Sequence, residues 1–346
     1  MSMMARVSVS WPPNTEVKMT DRPILIAGRN GQVAKCLREL AAMRGLPAVS
    51  LGRPELDLES RDGIDKLIAS IAPSAIINAA AYTAVDRAES EPAKAFSVNR
   101  DGAAALADVA WQMNIPLIHL STDYVFDGTK PDAYDESDIP APLNVYGASK
   151  LAGEAAVLAA HPLATVIRCS WLYSPYGTNF VRTMLRLCET QQVVRVVGDQ
   201  HGNPTSAFDV AEAVLRIAER SVADDRRATS GIFHLAGQGE TSWHDFAQAI
   251  FYERSRRGVR IPALESITTE EFPTAARRPR NSRLDSSRAE RVFGIRLAPW
   301  RQSLKVCLEQ LLGGETDAEG NRAGGRQRNA PLSDHARGQQ TVAPDL

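Results

Sequence analysis

The stretch PILIAGRNGQVA, Pro23–Ala34, decides how the rest of the chain is read. Ile24, Leu25, Ile26 and Ala27 form a short apolar run that stops at Gly28, the pattern of a strand buried on both faces of a parallel sheet. From Gly31 onward the period changes to that of a helix, with Leu37, Leu40 and Ala41 on one side and Gly45 as the stop. Between them lies Gly28-x-x-Gly31-x-x-Ala34, a looser pattern than the usual G-x-G-x-x-G. Its physics is the same: glycine permits the tight turn and lets backbone approach a pyrophosphate at a helix N-terminus. Ala34 is small enough for close helix–strand packing.

The alternation continues outward. Strand-like runs are expected at 46–52, 74–81, 116–122, 164–173 and 231–237, and helical ones at 61–73, 91–114, 146–161 and 205–220. Strand and helix in turn predict an α/β fold, a doubly wound parallel sheet of Rossmann type. Segments 171–204 and 237–312 carry more Pro, Arg and aromatics and predict a smaller, discontinuous C-terminal substrate domain. The dinucleotide-binding domain is then 22–170 plus 205–236. Residues 1–21 read as a flexible extension without the apolar core of a signal peptide, and 313–346 as a polar, Gly-rich disordered tail.

The composition narrows the class. The chain has 346 residues, 44% hydrophobic and 23% charged, as in soluble globular proteins. Forty Lys and Arg against 41 Asp and Glu leave no basic surplus for nucleic acid or an anionic membrane. Cys36, Cys169, Cys188 and Cys307 form no C-x-x-C pair, and no apolar run is long enough to span a membrane. Cytoplasmic localisation fits this cysteine usage. The histidines show no H-E-x-x-H spacing, and no metal site is assigned; His119 and His161 lie in or beside apolar segments and read as structural.

Chemistry enters at NVYGASKLAGE, Asn144–Glu154. Tyr146 and Lys150, four apart on a helix, share a face, so the ammonium is expected to lower the pKa of the phenol. LSTDYVFDG, Leu120–Gly128, follows a buried strand and sets the hydroxyls of Ser121 and Thr122 at its carboxyl end. A hydroxyl to hold a carbonyl, a Tyr to supply a proton and a Lys to bind cofactor ribose complete the set. After the second strand, where an acid commonly meets the ribose 2′-hydroxyl, stands Arg53, with Asp57 further on. An Arg there meets a 2′-phosphate, which favours NADPH over NADH; Arg29 inside the turn serves equally, and either residue reads also as solvated. Trp171 reads as a sugar-stacking ring or a core filler. Arg278, Arg280 and Arg283 read as a fork for a diphosphate or as a basic loop.

GRNGQV, INAAAYTAVDRAESEP, VNRDGAAALA, HLSTDYVFDG, APLNVYGASKLAGE, RCSWLY, GDQHGNPT, SWHDFAQAIF and RPRNSRLD together resemble the extended short-chain dehydrogenase/reductases, in their nucleotide-sugar reductase branch, over about 24–312. The resemblance implies NADPH-dependent reduction of the C4 keto group of dTDP-4-dehydro-L-rhamnose, the last step of dTDP-rhamnose synthesis for surface polysaccharide, with NADH as an alternative cofactor. It implies catalytic Thr122, Tyr146 and Lys150. Cofactor contacts are implied at Gly28, Gly31, Gln32, Val33, Asp57, Leu58, Ala81, Tyr82 and Thr83, and nucleotide-sugar contacts at Thr122, Asp123, Tyr146 and Trp171, with Arg280 as the candidate from the Arg cluster. Some members join two subunits through Mg2+. Where those carry a Glu in the first helix this chain has Cys36, so a metal-bridged homodimer does not follow. Dehydratases of the same superfamily place Asp-Glu after the active-site Thr; here Asp123-Tyr124 follows, which favours simple reduction over dehydration or epimerisation. A non-catalytic NADP-binding regulatory subunit is the other reading, against which the retained Thr122, Tyr146 and Lys150 argue.

Overall fold

A computed structural model of the chain describes residues 22–61, 63–223, 226–313 and 340–342. The expected N-terminal extension and most of the expected tail lie outside them.

The first half runs β1 (Ile24–Ala27), α1 (Gln32–Met43), β2 (Ala48–Leu51), α2 (Ile64–Ile71), β3 (Ala75–Asn78), α3 (Val85–Ala88), α4 (Pro92–Phe96), α5 (Ala103–Gln112), β4 (Leu117–Thr122), α6 (Val145–Ala160) and β5 (Thr165–Cys169). The second half runs β6 (Leu172–Tyr173), α7 (Phe180–Thr190), β7 (Val193–Val197), β8 (His201–Gly202), β9 (Thr205–Ser206), α8 (Ala207–Ala223), α9 (Arg226–Thr229), β10 (Gly231–Leu235), β11 (Thr241–Ser242), α10 (Trp243–Ser255), β12 (Ala263–Ile267), α11 (Ser287–Phe293), α12 (Trp300–Leu312) and β13 (Gln340–Val342).

Six strands form one parallel sheet in the order β10-β5-β4-β3-β1-β2. The chain therefore reverses direction across the sheet between β1 and β3, the switch point at which open α/β sheets hold ligands beyond the strands' carboxyl ends. Period-2 alternation splits β1 between two cores: Ile24 and Ile26 pack with α1 and α8, Leu25 and Ala27 with α2 and α5. The expected doubly wound sheet is the observed one.

A separate aromatic cluster joins Trp171, Tyr173, Phe180, Trp243, Phe246 and Trp300 from the β5–β6 corner, α7, α10 and α12. Beside it β7 pairs in parallel with β12 and with the three residues of β13. From the segment 237–312, Ala289, Phe293, Ile295 and Leu297 pack on the main sheet instead. Among the described residues no helix is long and apolar enough to cross a membrane.

Three elements differ from the sequence expectation; one is β13, which falls within the tail expected to be disordered and pairs with β7. The helix expected over 91–114 is broken by a wide π turn at Ser97–Gly102. Asn99 in that turn holds the β3–α3 loop, accepting from Tyr82 N at 2.8 Å and donating to Tyr82 O at 3.1 Å and Ser149 Oγ at 2.9 Å. The strand expected over 164–173 stops at Cys169, turns through Trp171 at a left-handed φ of 46°, and restarts as β6 on β9.

Helix α6 lies unusually close to its neighbours. A Cβ added to Gly147 would stand 2.1 Å from Tyr124 O, and one on Gly153 2.1 Å from Asn99 O. Both partners are backbone, so a methyl group forces the helix outward. Gly153→Ala is expected to destabilise the fold by about 1–3 kcal/mol through overpacking, read as a lower urea midpoint at unchanged m-value.

Candidate active site

The end of β1, the start of α1 and the carboxyl ends of β3, β4 and β5 enclose a cavity of about 600 Å³. Gly28 makes the first turn possible: its φ is 127°, and a Cβ there would press on the Ala79 backbone at 3.2 Å. Gly31 is the N-cap of α1 and offers no side-chain cap to the N–H groups that follow. Asn30, Gly31, Gln32 and Val33 line the cavity, so the positive end of the helix dipole opens into it.

Opposite this turn, β4 ends in Thr122. Its Oγ1 accepts from Tyr124 N at 3.2 Å and donates to Asp123 Oδ1 at 2.9 Å. Helix α6 starts at Asn144, whose Oδ1 accepts from Gly147 N at 2.7 Å. Its first turns bring Tyr146 and Lys150 to the same wall. Lys150 is 2% exposed; its Nζ donates to Leu120 O at 2.6 Å and lies 3.4 Å from His119 Nε2.

Burial sets the charges here. It pushes Asp123 from an ordinary 3.8 up to about 7, against the opposing Thr122 hydroxyl, and Asp123 Oδ2 has no hydrogen-bond partner. Burial also brings Lys150 down to about 8, with Glu154 opposing. The Tyr146 phenol is raised well above its ordinary value by burial, with the Thr122 hydroxyl opposing. This corrects the expectation that Lys150 lowers the phenol. The helical spacing is as expected, but loss of water outweighs the neighbouring cation, whose Nζ is turned onto Leu120 O.

The cavity brings together most residues named from the sequence: Gly31, Gln32, Val33, Ala81, Thr83, Ser121, Thr122, Asp123, Tyr146, Lys150 and Trp171. Others stand apart from its lining. Arg53 is 64% exposed in its side chain and pairs with Glu59 at 3.0 Å; Arg29 pairs with Glu55 at 2.8 Å. Asp57 Oδ1 accepts from Glu59 N, Leu58 is buried in the core, and Tyr82 donates its hydroxyl to Glu91. The Arg cluster does not converge on the cavity: Arg278 grips Asp86 through two bonds of 2.6 Å, Arg280 pairs with Glu270 at the surface, and Arg283 pairs with Glu240. Trp171 combines both of its readings, stacking on Trp243 with ring centroids 3.5 Å apart while lining the cavity. Cys36 is fully buried on the inner face of α1.

Several lining residues had not been singled out: Asp86, Arg87, Cys169, Gly177 and Thr178. Gly177 and Thr178 belong to a strap between β6 and α7, which is tied to α1 because Gln32 Oε1 accepts from Ser174 Oγ at 2.9 Å and Asn179 Nδ2 at 3.0 Å. The Gly and Pro around 175–177 mark a loop in the sequence; which helix it crosses is a tertiary fact.

A parallel sheet with a Gly-turn at its switch point, a Thr at a strand end and a Tyr and Lys on the helix that follows is the architecture of an extended short-chain dehydrogenase/reductase. The sequence model of the family described as the RmlD substrate binding domain matches residues 22–312. A curated dTDP-4-dehydrorhamnose reductase of Sinorhizobium fredii is 48% identical over 289 residues, covering 84% of this chain and 97% of its own length. One from Salmonella typhimurium is 38% identical, covering 83% and 97%. The crystal structure of a dTDP-4-dehydrorhamnose reductase from Bacillus anthracis in complex with NADP superposes with a TM-score of 0.78 at 34% identity, over 84% of this chain and 100% of that one. The chain belongs to the dTDP-4-dehydrorhamnose reductase family.

The raised Asp123 has a measurable consequence for stability. The folded state keeps that proton to about pH 7, whereas the unfolded chain releases it near 3.8. This group's contribution is therefore fully present below pH 4 and is lost as pH rises to 7. Asp123→Asn removes the loss: its stability relative to wild type is expected to grow across that window, to on the order of 2 kcal/mol at pH 8, measured by urea unfolding at a series of pH values.

Proposed function

We propose that the chain reduces the C4 keto group of dTDP-4-dehydro-L-rhamnose to the alcohol with NADPH. The observation that carries this reading is the shared cavity, with an uncapped helix N-terminus on one wall and Thr122, Tyr146 and Lys150 on the other. Family membership supports the substrate, and the NADP-bound relative supports the cofactor.

The residues present suit a dinucleotide. Free N–H groups in the first turn of α1 favour a pyrophosphate, and Gly28 allows the close approach. In this reading Gly31, Gln32 and Val33 hold the phosphates, Ala81 and Thr83 border the far half, and Lys150 meets ribose hydroxyls. NADPH, when bound, supplies a hydride. Thr122 Oγ1, turning its proton from Asp123 Oδ1 to the substrate, donates to the carbonyl oxygen of the sugar and orients it. Tyr146 then gives its proton to that oxygen as negative charge develops there. A phenol kept protonated by burial suits this task, because it gives up its proton only to a strong base such as an alkoxide. Lys150, a buried ammonium beside it, lessens the cost of the phenolate left behind. Trp171, fixed by its stack on Trp243 and packed against Gly202, forms a rigid apolar part of the cavity wall beside the sugar.

We also propose the domain division expected above, 22–170 plus 205–236 for the dinucleotide and 171–204 plus 237–312 for the sugar nucleotide. The separate aromatic cluster supports it.

The deciding experiment is NADPH oxidation by the purified chain with dTDP-4-dehydro-L-rhamnose; no rate above background with either NADPH or NADH sinks the proposal. In that assay Tyr146→Phe is expected to lower kcat about 10²–10⁴-fold while leaving NADPH affinity by fluorescence titration unchanged. Lys150→Met is expected to lower kcat and raise the cofactor KM together. Cofactor choice is tested separately. Arg29 and Arg53 flank the end of β2, and each pairs with a surface carboxylate. Alanine at the residue that meets the 2′-phosphate should raise KM for NADPH more than for NADH; equal changes identify a bystander.

A further inference from the structure

Glu154 and Arg168 form a fork-to-fork ion pair inside the protein. Arg168 Nε donates to Glu154 Oε1 at 2.9 Å and Nη2 to Oε2 at 2.6 Å. Both side chains are 2% exposed. Ser121 Oγ donates to the same Oε1 at 2.5 Å. Replacing a buried ion pair with apolar residues of similar volume is often neutral or stabilising, so anchoring a helix does not by itself require charge. The location suggests what the charge is for.

Glu154 lies one helical turn beyond Lys150 and two beyond Tyr146 on α6, and the three share a face. Ser121 and Arg168 are register partners on β4 and β5. Ser121 precedes Thr122, and Arg168 precedes the cavity-lining Cys169. One carboxylate therefore ties together the three elements that present Thr122, Tyr146, Lys150 and Cys169. We propose that Glu154 and Arg168 are positioning residues of this site: their ion pair, tied to β4 through Ser121, fixes α6 against the strand ends, and Glu154 supplies the counter-charge that lets Lys150 remain an ammonium inside the protein.

The surroundings of Lys150 bear this out. On α6 it has Tyr146 and Glu154, on β4 His119 and Ser121, beyond β4 Asp123, and on β5 Arg168 and Cys169. Burial and Lys150 keep His119 well below its ordinary value, so it adds no second positive charge beside the ammonium. Burial likewise favours the neutral thiol of Cys169 and the neutral phenol of Tyr146, and it raises Asp123. Glu154 is the largest influence favouring the charged form of Lys150, and Arg168 holds that carboxylate in place. The pair thus acts on the proposed reduction through Lys150 and touches neither substrate nor cofactor, so the inference rests on the reading above.

The test reads Lys150 directly. Protein labelled at lysine 13Cε is titrated by NMR without cofactor or substrate, and Lys150→Met assigns the resonance. The wild-type midpoint is expected near 8. In Glu154→Gln it should fall by about one pH unit, with the other lysines unmoved. The double variant Glu154→Gln/Arg168→Gln removes the guanidinium together with its carboxylate partner, so Arg168 is not left as an unpaired buried charge; there the same resonance should move in the same direction by less. At pH 7 the reductase kcat of Glu154→Gln should drop and then recover on acidification towards pH 6, as the ammonium returns. A purely structural pair would lower the unfolding midpoint without moving the lysine titration. An unshifted Lys150 midpoint in either folded variant overturns the proposal. Because the NMR midpoint needs no turnover, failure of the chain to reduce any nucleotide sugar would remove the reductase reading while leaving this result decided on its own.

Discussion

Helix α6 has to lie within backbone contact of its surroundings for the site to exist. Gly147 and Gly153 allow that approach, one against the turn after β4 and the other against the π turn before α5. Asn144 and Asn99 add polar ties at the two contacts, to Arg277 O and to Ser149 Oγ. Below these, the Glu154–Arg168 pair and Ser121 hold the helix in register with β4 and β5. A shift of one ångström along this helix would separate Tyr146 and Lys150 from Thr122, and separations of that size matter for reacting groups.

The same closeness accounts for the electrostatics. A helix seated tightly on a parallel sheet excludes water from its inner face, so the groups that line the cavity there are pushed towards their neutral forms. Tyr146 and Asp123 go up, and Lys150 comes down. The i, i+4 relation of Tyr146 and Lys150 would favour a lowered phenol on an exposed helix, where solvation costs nothing. In the interior the desolvation cost is larger than that pairwise attraction, and it keeps the phenol protonated.

Contact between the two halves of the cavity comes through the chain's second half. The β5–β6 corner turns at Trp171, and the strap that follows is pinned to the first turn of α1 through Gln32, Ser174 and Asn179. The side chain of Gln32 thus faces the strap while its backbone belongs to the Gly-turn. A hydroxyl from this strap, Tyr176, also reaches Glu39 further along α1. The aromatic cluster that carries the strap is bound to the sheet's ligand end by these polar contacts.

What the sequence determined by itself was most of what is local or periodic. Apolar runs and helical spacing defined the doubly wound sheet, Gly28 and Gly31 marked the turn at its switch point, and LSTD and YGASK pointed to Thr122, Tyr146 and Lys150, which line one cavity, because each signal is carried by neighbouring residues. The tertiary structure decided what depends on pairing across distance. It paired Arg278 with Asp86, 192 positions apart, and so took one Arg of the expected fork out of play. It sent Arg53 to Glu59 and Arg280 to Glu270 at the surface, and it broke the helix at Ser97–Gly102 so that Asn99 could hold the β3–α3 loop. It also set the protonation of the site. Charge spacing can be read along a chain, but desolvation depends on how much protein surrounds a group, and that follows only from the packed fold.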